Sequence, residues 1–374
     1  MTITRKMADF AADVPSSIGS ASQVLKVNSG ANAYEWGDAS ASFNSLSDTT
    51  VNTGNPTLTT NPSAIGHMWI NTTSGEGFIC TDATANANIW GSLGLGDSPS
   101  IQPFGGSGGI KTTYGIYTVH TFLSSGNFVA EGATVSSAVD YLIIAGGGGG
   151  GSSYYSAGHG SSSGGGGGGA GGLITGQVSK AGGVTYPIVI GAGGGGGARN
   201  NYNGSPGIIG NNSSVFGLTA IGGGRGAADQ NSASETGGNG GSGGGGSTSN
   251  SRAGGTATSG QGNNGGACGS NYTGAGGGGK GAVGGNSSSG NGGNGGVGLS
   301  NSLRTGSGVF YAGGGGGAIP SNTSGTGGNG GGGAGGVAGA GVAGTANTGG
   351  GGGGSSGVTG AAGGSGIVIL RYVT

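Results

Sequence analysis

The chain has 374 residues, 109 of them glycine; only 6% are charged and the net charge is −1. So little charge argues against a protein that holds nucleic acid or an anionic membrane electrostatically, and against the disorder that high net charge maintains. Cys80 and Cys268 form no CxxC or Cys/His cluster, which supports neither a disulfide framework nor a zinc site, and no stretch approaches the roughly 18 apolar residues of a membrane span.

Composition divides the chain. Residues 1–140 hold 17 glycines, ten acids and four bases, whereas residues 141–374 hold 92 glycines, two acids and seven bases. All three tryptophans, Trp36, Trp69 and Trp90, fall in the first 90 residues. The N-terminal "MTITRKMADFAADVPSSIG" has two bases but no apolar h-region, so no signal peptide is expected.

Residues 1–54 read as an N-terminal attachment or oligomerisation segment. They offer one short strand, Val24–Val27, then Gly/Asn turn residues and the aromatics Tyr34 and Trp36, too little to bury a core alone. Residues 55–95 read as a small hairpin module: His67–Asn71 and Gly77–Thr81 alternate around "TTSGE", and Trp69, Phe78, Ile79 and Trp90 are the candidate aromatic cluster. Forty residues are thin for independent stability, so other copies of the chain are expected here. Residues 96–109, rich in Gly, Ser and Pro, read as a linker.

From residue 110 to 374 the strand signal strengthens. Thr113–Phe122, "NFVAEG" and "AVDYLIIAG" are β-branched and aromatic. A device then recurs four times: "YLIIAGGGGGG", "YPIVIGAGGGGG", "LTAIGGGRG" and "VFYAGGGGG" each run an apolar strand straight into glycines. The final strand, Gly366–Tyr372, is expected to pair with "VDYLIIAG" or with "TYGIYTVHTF", since an unpaired apolar edge invites aggregation. No helical 3.6-residue pattern of useful length follows residue 110.

Two readings of the glycine runs stand beside each other. One is a flexible Gly/Ser linker. The other is a packed bundle of polyglycine II helices, with three residues per turn, about 3.1 Å rise and no internal hydrogen bonds. Without side chains such helices can approach until their backbones bond one another. Ordering costs about 1–2 kcal/mol per residue and each bond returns about 1 kcal/mol net, so only several runs held in register by a sheet would condense. The repeated anchoring by strands favours this second reading. The fold class expected is therefore all-β with polyglycine II helices, a small N-terminal β module preceding the glycine-rich domain.

Between the glycine runs lie short polar segments, placed as loops at segment ends. They carry Tyr154, Tyr155, His159, Arg199, Asn200, Asn201, Tyr202, Asn271 and Tyr272. Exposed tyrosine beside asparagine suits surface recognition at low entropy cost, and these nine are the candidate binding residues. The alternative for each tyrosine is that it caps the glycine core. GxGxxG matches carry no information among 109 glycines outside a βαβ unit. His120 is expected to face solvent or a neighbour, and Glu131 and Asp140 to be strand-edge charges. No nucleophile–base or paired-carboxylate arrangement assembles, so no enzyme, no metal and no cofactor is expected.

The segments "SQVLKVNSGANAYEWGDA" and "NPSAIGHMWINTTSGEGFICTDATANANIW" resemble parts of tail-fibre and virion structural proteins of marine phages, cyanophages especially. "HTFLSSGNF…VDYLIIAGGGGGG…GGSGIVILRY" resembles the glycine-rich domain common in such fibres, and is similar to fibre-tip adhesins that carry a polyglycine II sandwich with variable receptor-binding loops. The resemblance implies a virion fibre or adhesin released by lysis, built as a homotrimer. It further implies an N-terminal segment joined to other virion tail or fibre proteins, and C-terminal loops meeting a host surface glycan or outer-membrane protein. A purely structural virion fibre and a non-viral glycine-rich fibril remain the alternatives.

Overall fold

A computed structural model describes residues 23–27, 34–38, 48–93, 104–132, 136–153, 163–200, 203–229, 236–247, 252–269 and 272–373. The described residues contain strands and no helix, so the fold is all-β. The chain forms two units, residues 1–101 and 102–374.

In the first unit β1 (Gln23–Val27) and β2 (Tyr34–Asp38) form an antiparallel pair with Val27 opposite Tyr34. A second sheet runs in sequence order through β3 (Thr49–Asn52), β4 (Met68–Asn71), β5 (Gly77–Asp82) and β6 (Ile89–Ser92), with β3 parallel to β4. The expected hairpin is β4–β5, with Trp69 opposite Phe78. Its core is Trp69, Phe78, Cys80 and Trp90. Cys80 takes the place assigned to Ile79, because strand alternation sends Phe78 and Cys80 to one face and Ile79 to the other.

The second unit begins with β7 (Gly105–Ser107), β8 (Ile110–Tyr114), β9 (Tyr117–Phe122), β10 (Gly126–Glu131), β11 (Ser136–Ile144), β12 (Leu173–Ala181) and β13 (Thr185–Ile188). Four short strands follow, β14 (Arg199–Asn200), β15 (Asn203–Gly204), β16 (Ser213–Val215) and β17 (Leu218–Ala220). The last are β18 (Leu299–Asn301), β19 (Val309–Tyr311) and β20 (Ile367–Val373). The principal sheet is antiparallel in the order β12-β11-β20-β9-β8. The terminal strand thus sits between both expected partners, with Leu142 opposite Ile369 and His120 opposite Leu370.

Both faces of this sheet are covered, which is why β20 reads as a continuous apolar run. Ile143, Val368, Leu370 and Tyr372 pack with Phe104, Phe122 and Phe128 on one face. Leu142, Ile144, Ile367 and Ile369 pack with Leu173 and Tyr311 on the other. Two sequence expectations change. Thr113–Phe122 is not one strand but the β8–β9 hairpin, turning where Gly115 takes a positive φ of 56°. Part of the stretch read as a linker is ordered: Phe104 is buried and β7 pairs with β10.

Each of the four apolar strands β11, β13, β17 and β19 leads into glycine, and the glycine runs bond one another. The six N–H groups of Gly146–Gly151 donate in turn to Asn211, Gly364, Gly169, Ile208, Ala361 and Gly166. Residues three apart therefore reach the same neighbour, three positions further along it. Their six carbonyls accept from Gly223, Gly194, Gly352, Gly226, Gly197 and Ser355 with the same three-residue period. This segment thus has six neighbours, three through its donors and three through its acceptors. The 163–172 and 273–279 segments are surrounded in the same way. Burial with complete bonding excludes a solvated linker.

Close approach explains the composition. A Cβ built on Gly148 would overlap the Gly224 carbonyl oxygen, and one on Gly168 would overlap that of Gly148. Segments on the rim relax the requirement: in 204–212 only Gly204, Gly207 and Gly210 are buried, while Ile208 and Ile209 are exposed. The interior runs 146–151 and 164–169 need glycine at every position, whereas on the rim only every third position must be glycine.

Candidate functional site

The bundle has two ends. One carries the principal sheet. At the other, the chain leaves and re-enters between residues 153 and 163, 200 and 203, 229 and 236, 247 and 252, and 269 and 272. Serines and threonines end the glycine runs there, because a small hydroxyl can bond a carbonyl that has no further segment to meet.

These exits are tied together. The Ser152 hydroxyl donates to the Ala198 carbonyl at 2.8 Å and to the Ser205 carbonyl at 3.1 Å. The Ser153 hydroxyl donates to the Ser163 carbonyl and accepts from the Gly357 N–H at 3.1 Å. The Ser163 hydroxyl donates to the Asp229 carboxylate. Asp229 also donates its N–H to the Ser152 carbonyl and accepts at its own carbonyl from the Gly204 N–H, at 3.3 and 3.0 Å. Asp229 therefore joins three exits. Ser247 donates to the Gly164 carbonyl at 2.8 Å, and the Ala275 N–H donates to the Gly246 carbonyl at 2.8 Å, which brings the remaining two exits beside the same floor.

Of the nine sequence-derived residues, three are described. Arg199 and Asn200 form β14, exposed and paired with Gly204 and Asn203. Tyr272 is 51% exposed with φ at +70°, a left-handed conformation that turns the chain back into the 273–279 segment. Tyr154, Tyr155, His159, Asn201, Tyr202 and Asn271 lie outside the described residues. The described flanks of all six reach the same end of the bundle. Sequence reasoning missed Ser152, Ser153, Ser163, Asp229 and Ser247. Their signal was position: each stands at or beside the end of a bundle segment.

His120, expected to face solvent or a neighbour, is fully buried on β9. Its Nδ1–H donates to the Gly108 carbonyl at 2.7 Å, so Nε2 accepts from the Tyr372 hydroxyl at 3.0 Å. Burial holds the imidazole below its usual range, and burial likewise raises the Tyr372 phenol. Both groups are held neutral inside the aromatic core of Phe104, Phe128 and Tyr372, away from the bundle's loop end. Among the described residues no group of three His, Cys, Asp or Glu side chains comes together to hold a metal ion.

The architecture is that of an all-β protein whose sheets hold a bundle of glycine segments, with the ends of several segments bonded together at 152–153, 163, 204–205 and 229. The chain belongs to the glycine-rich domain family, whose sequence model matches residues 121–373. No curated protein matches the chain.

Proposed function

We propose that this chain is a phage virion fibre subunit, a tail fibre or adhesin that contacts the host surface through the loops at the end of its glycine bundle. The glycine core is read as polyglycine II, in keeping with its three-residue bond period and six-neighbour packing. The observation that carries the reading is the convergence of five exits on one Ser/Asp-bonded floor, far along the chain from one another yet presented together. A rigid mount with polar, tyrosine-bearing loops is the arrangement that recognition of a glycan or outer-membrane protein requires. The covered sheet faces and the low charge suit a particle protein that works outside the cell. Other copies, and virion proteins joined through residues 1–54, are its assembly partners. It performs no catalysis and needs no cofactor.

The test is adsorption. Purified chain should coat susceptible cells and block phage attachment. Replacing residues 154–160 and 201–202 with Gly/Ser should abolish the block while the melting transition stays in place. Undiminished blocking after both replacements would contradict receptor binding by these loops and leave a purely structural fibre.

A further inference from the structure

Four neighbouring segments, 204–212, 190–197, 359–365 and 340–345, form one outer side of the bundle. Their order follows from their bonds: Ile208 N–H donates to Gly195 O at 2.8 Å, Gly363 N–H to Gly194 O at 2.9 Å and Gly344 N–H to Ala362 O at 2.9 Å. None of the four contains a charged residue. Their exposed side chains are uncharged and mostly small: Ala192, Ala343 and Ala362 along the side, with Ile208, Ile209 and Val342 at its margins and Asn211, Asn212, Thr345 and Thr359 at segment ends. The N–H groups of Ala192, Gly193, Gly195, Gly196, Ala343 and Ala362 have no acceptor among the described residues.

Another part of the rim is treated differently. There the outward N–H groups of Thr256, Ala257, Ala267 and Thr326 are closed by the side-chain oxygens of Asn239, Asn264, Asn286 and Asn294, at 2.8 to 2.9 Å. Asparagine thus seals one flank as charges and prolines seal the edge strand of a sheet. The 190–197, 340–345 and 359–365 segments contain no asparagine and stay open.

We propose that this open side is an interface with a second copy of the chain. A row of donors repeating every three residues can be met along its length only by a chain with the same repeat and with side chains small enough for backbones to approach. The same side also presents carbonyls that accept nothing among the described residues, those of Gly193, Gly196, Ala343 and Gly363, so across a twofold axis the donors of one copy meet the acceptors of the other without any other partner. The flanking Ile208 and Val342 add apolar area that leaves water on association.

Sedimentation equilibrium of the full chain tests this, with the double variant Ala192→Arg/Ala362→Arg and the control Val297→Arg on the sealed flank. All three sites are exposed, so the bundle interior is untouched. The wild type and the control should form larger assemblies than the double variant, by a factor of two where residues 1–95 do not themselves associate. Equal masses for wild type and double variant would overturn the proposal. As a measurement needing no variant, hydrogen exchange at 192–196 and 362 should slow as concentration rises. Exchange independent of concentration would likewise overturn it.

Discussion

The Asp140 carboxylate on β11 accepts two hydrogen bonds from Arg371 on β20, from Nε at 3.0 Å and Nη2 at 2.7 Å, 231 residues apart in the chain. Arg371 also lies 4.1 Å from the centre of the Tyr117 ring and donates to the Tyr114 hydroxyl at 2.8 Å. One side chain thereby links β8, β9, β11 and β20. Both partners are partly exposed, at 18% and 22%, so solvent screens the pair. Asp140→Ala should cost about 1 kcal/mol. Arg371→Ala should cost more, about 2 kcal/mol, because it also loses the stack on Tyr117. Chemical denaturation at low and high salt checks both: the Asp140→Ala cost should shrink in salt.

The pairing of β20 could be read from the sequence, since an apolar terminal strand has nowhere else to go. The strand-to-glycine junctions at Ile144, Ile188, Ala220 and Tyr311 were also legible, being local. The neighbours of each glycine run were not, because a glycine has no side chain to show which segment it faces. Position was encoded only in part: the large residues Ile208 and Ile209 between glycines mark a rim segment, but the rim segment 193–197 is glycine throughout. Ile79 looked like the core residue because it is the more apolar, but the alternation of β5 turns Phe78 and Cys80 inward together. His120 faces neighbours and not solvent, an alternative the strand pattern left open because only the fold brings Gly108 and Tyr372 to its ring nitrogens.

Removing that central strand tests the sheet. Leu370 is fully buried, and Leu370→Ala should cost about 2–5 kcal/mol, the range for a truncated core leucine. Deleting residues 366–374 should leave the chain aggregated or loosely packed, with dye-binding apolar surface. A deletion that keeps the wild-type melting temperature would show that the sheet does not depend on β20.

His120 makes stability depend on pH. Its imidazole is held below the usual value of ~6.5 by burial, so near and below that pH the unfolded chain takes up a proton that the folded chain refuses. Its contribution is fully present above ~6.5 and is lost as the pH falls toward the depressed folded value, by at most about 1.4 kcal/mol per pH unit. The variant His120→Gln should be less stable at neutral pH yet show a flatter pH dependence as the pH falls below ~6.5. Parallel curves for the two proteins would assign the dependence elsewhere.

Asp229 should matter more to the loops than to the bundle. Asp229→Ala removes the acceptor for Ser163 but keeps both backbone bonds of Asp229. Global stability should fall by about 1–2 kcal/mol, a charged hydrogen bond in a partly buried place. Proteolysis within residues 153–163 and 229–236 should accelerate, and blocking of adsorption should weaken.

The bundle itself is tested most directly at Gly148. Any Cβ there overlaps the Gly224 carbonyl, whereas a Cβ at Gly126 meets nothing within 4 Å. Gly148→Val must push segments apart and leave buried amides unpaired. Equilibrium unfolding should show a loss of several kcal/mol, about 3 or more, from overpacking and unmade bonds together. Gly126→Val should change stability by less than about 1 kcal/mol. In the wild type, the amides of Gly146–Gly151 should exchange as slowly as those of β11. A Gly148→Val protein as stable as the Gly126→Val control, with fast exchange throughout Gly146–Gly151, would contradict a condensed glycine core.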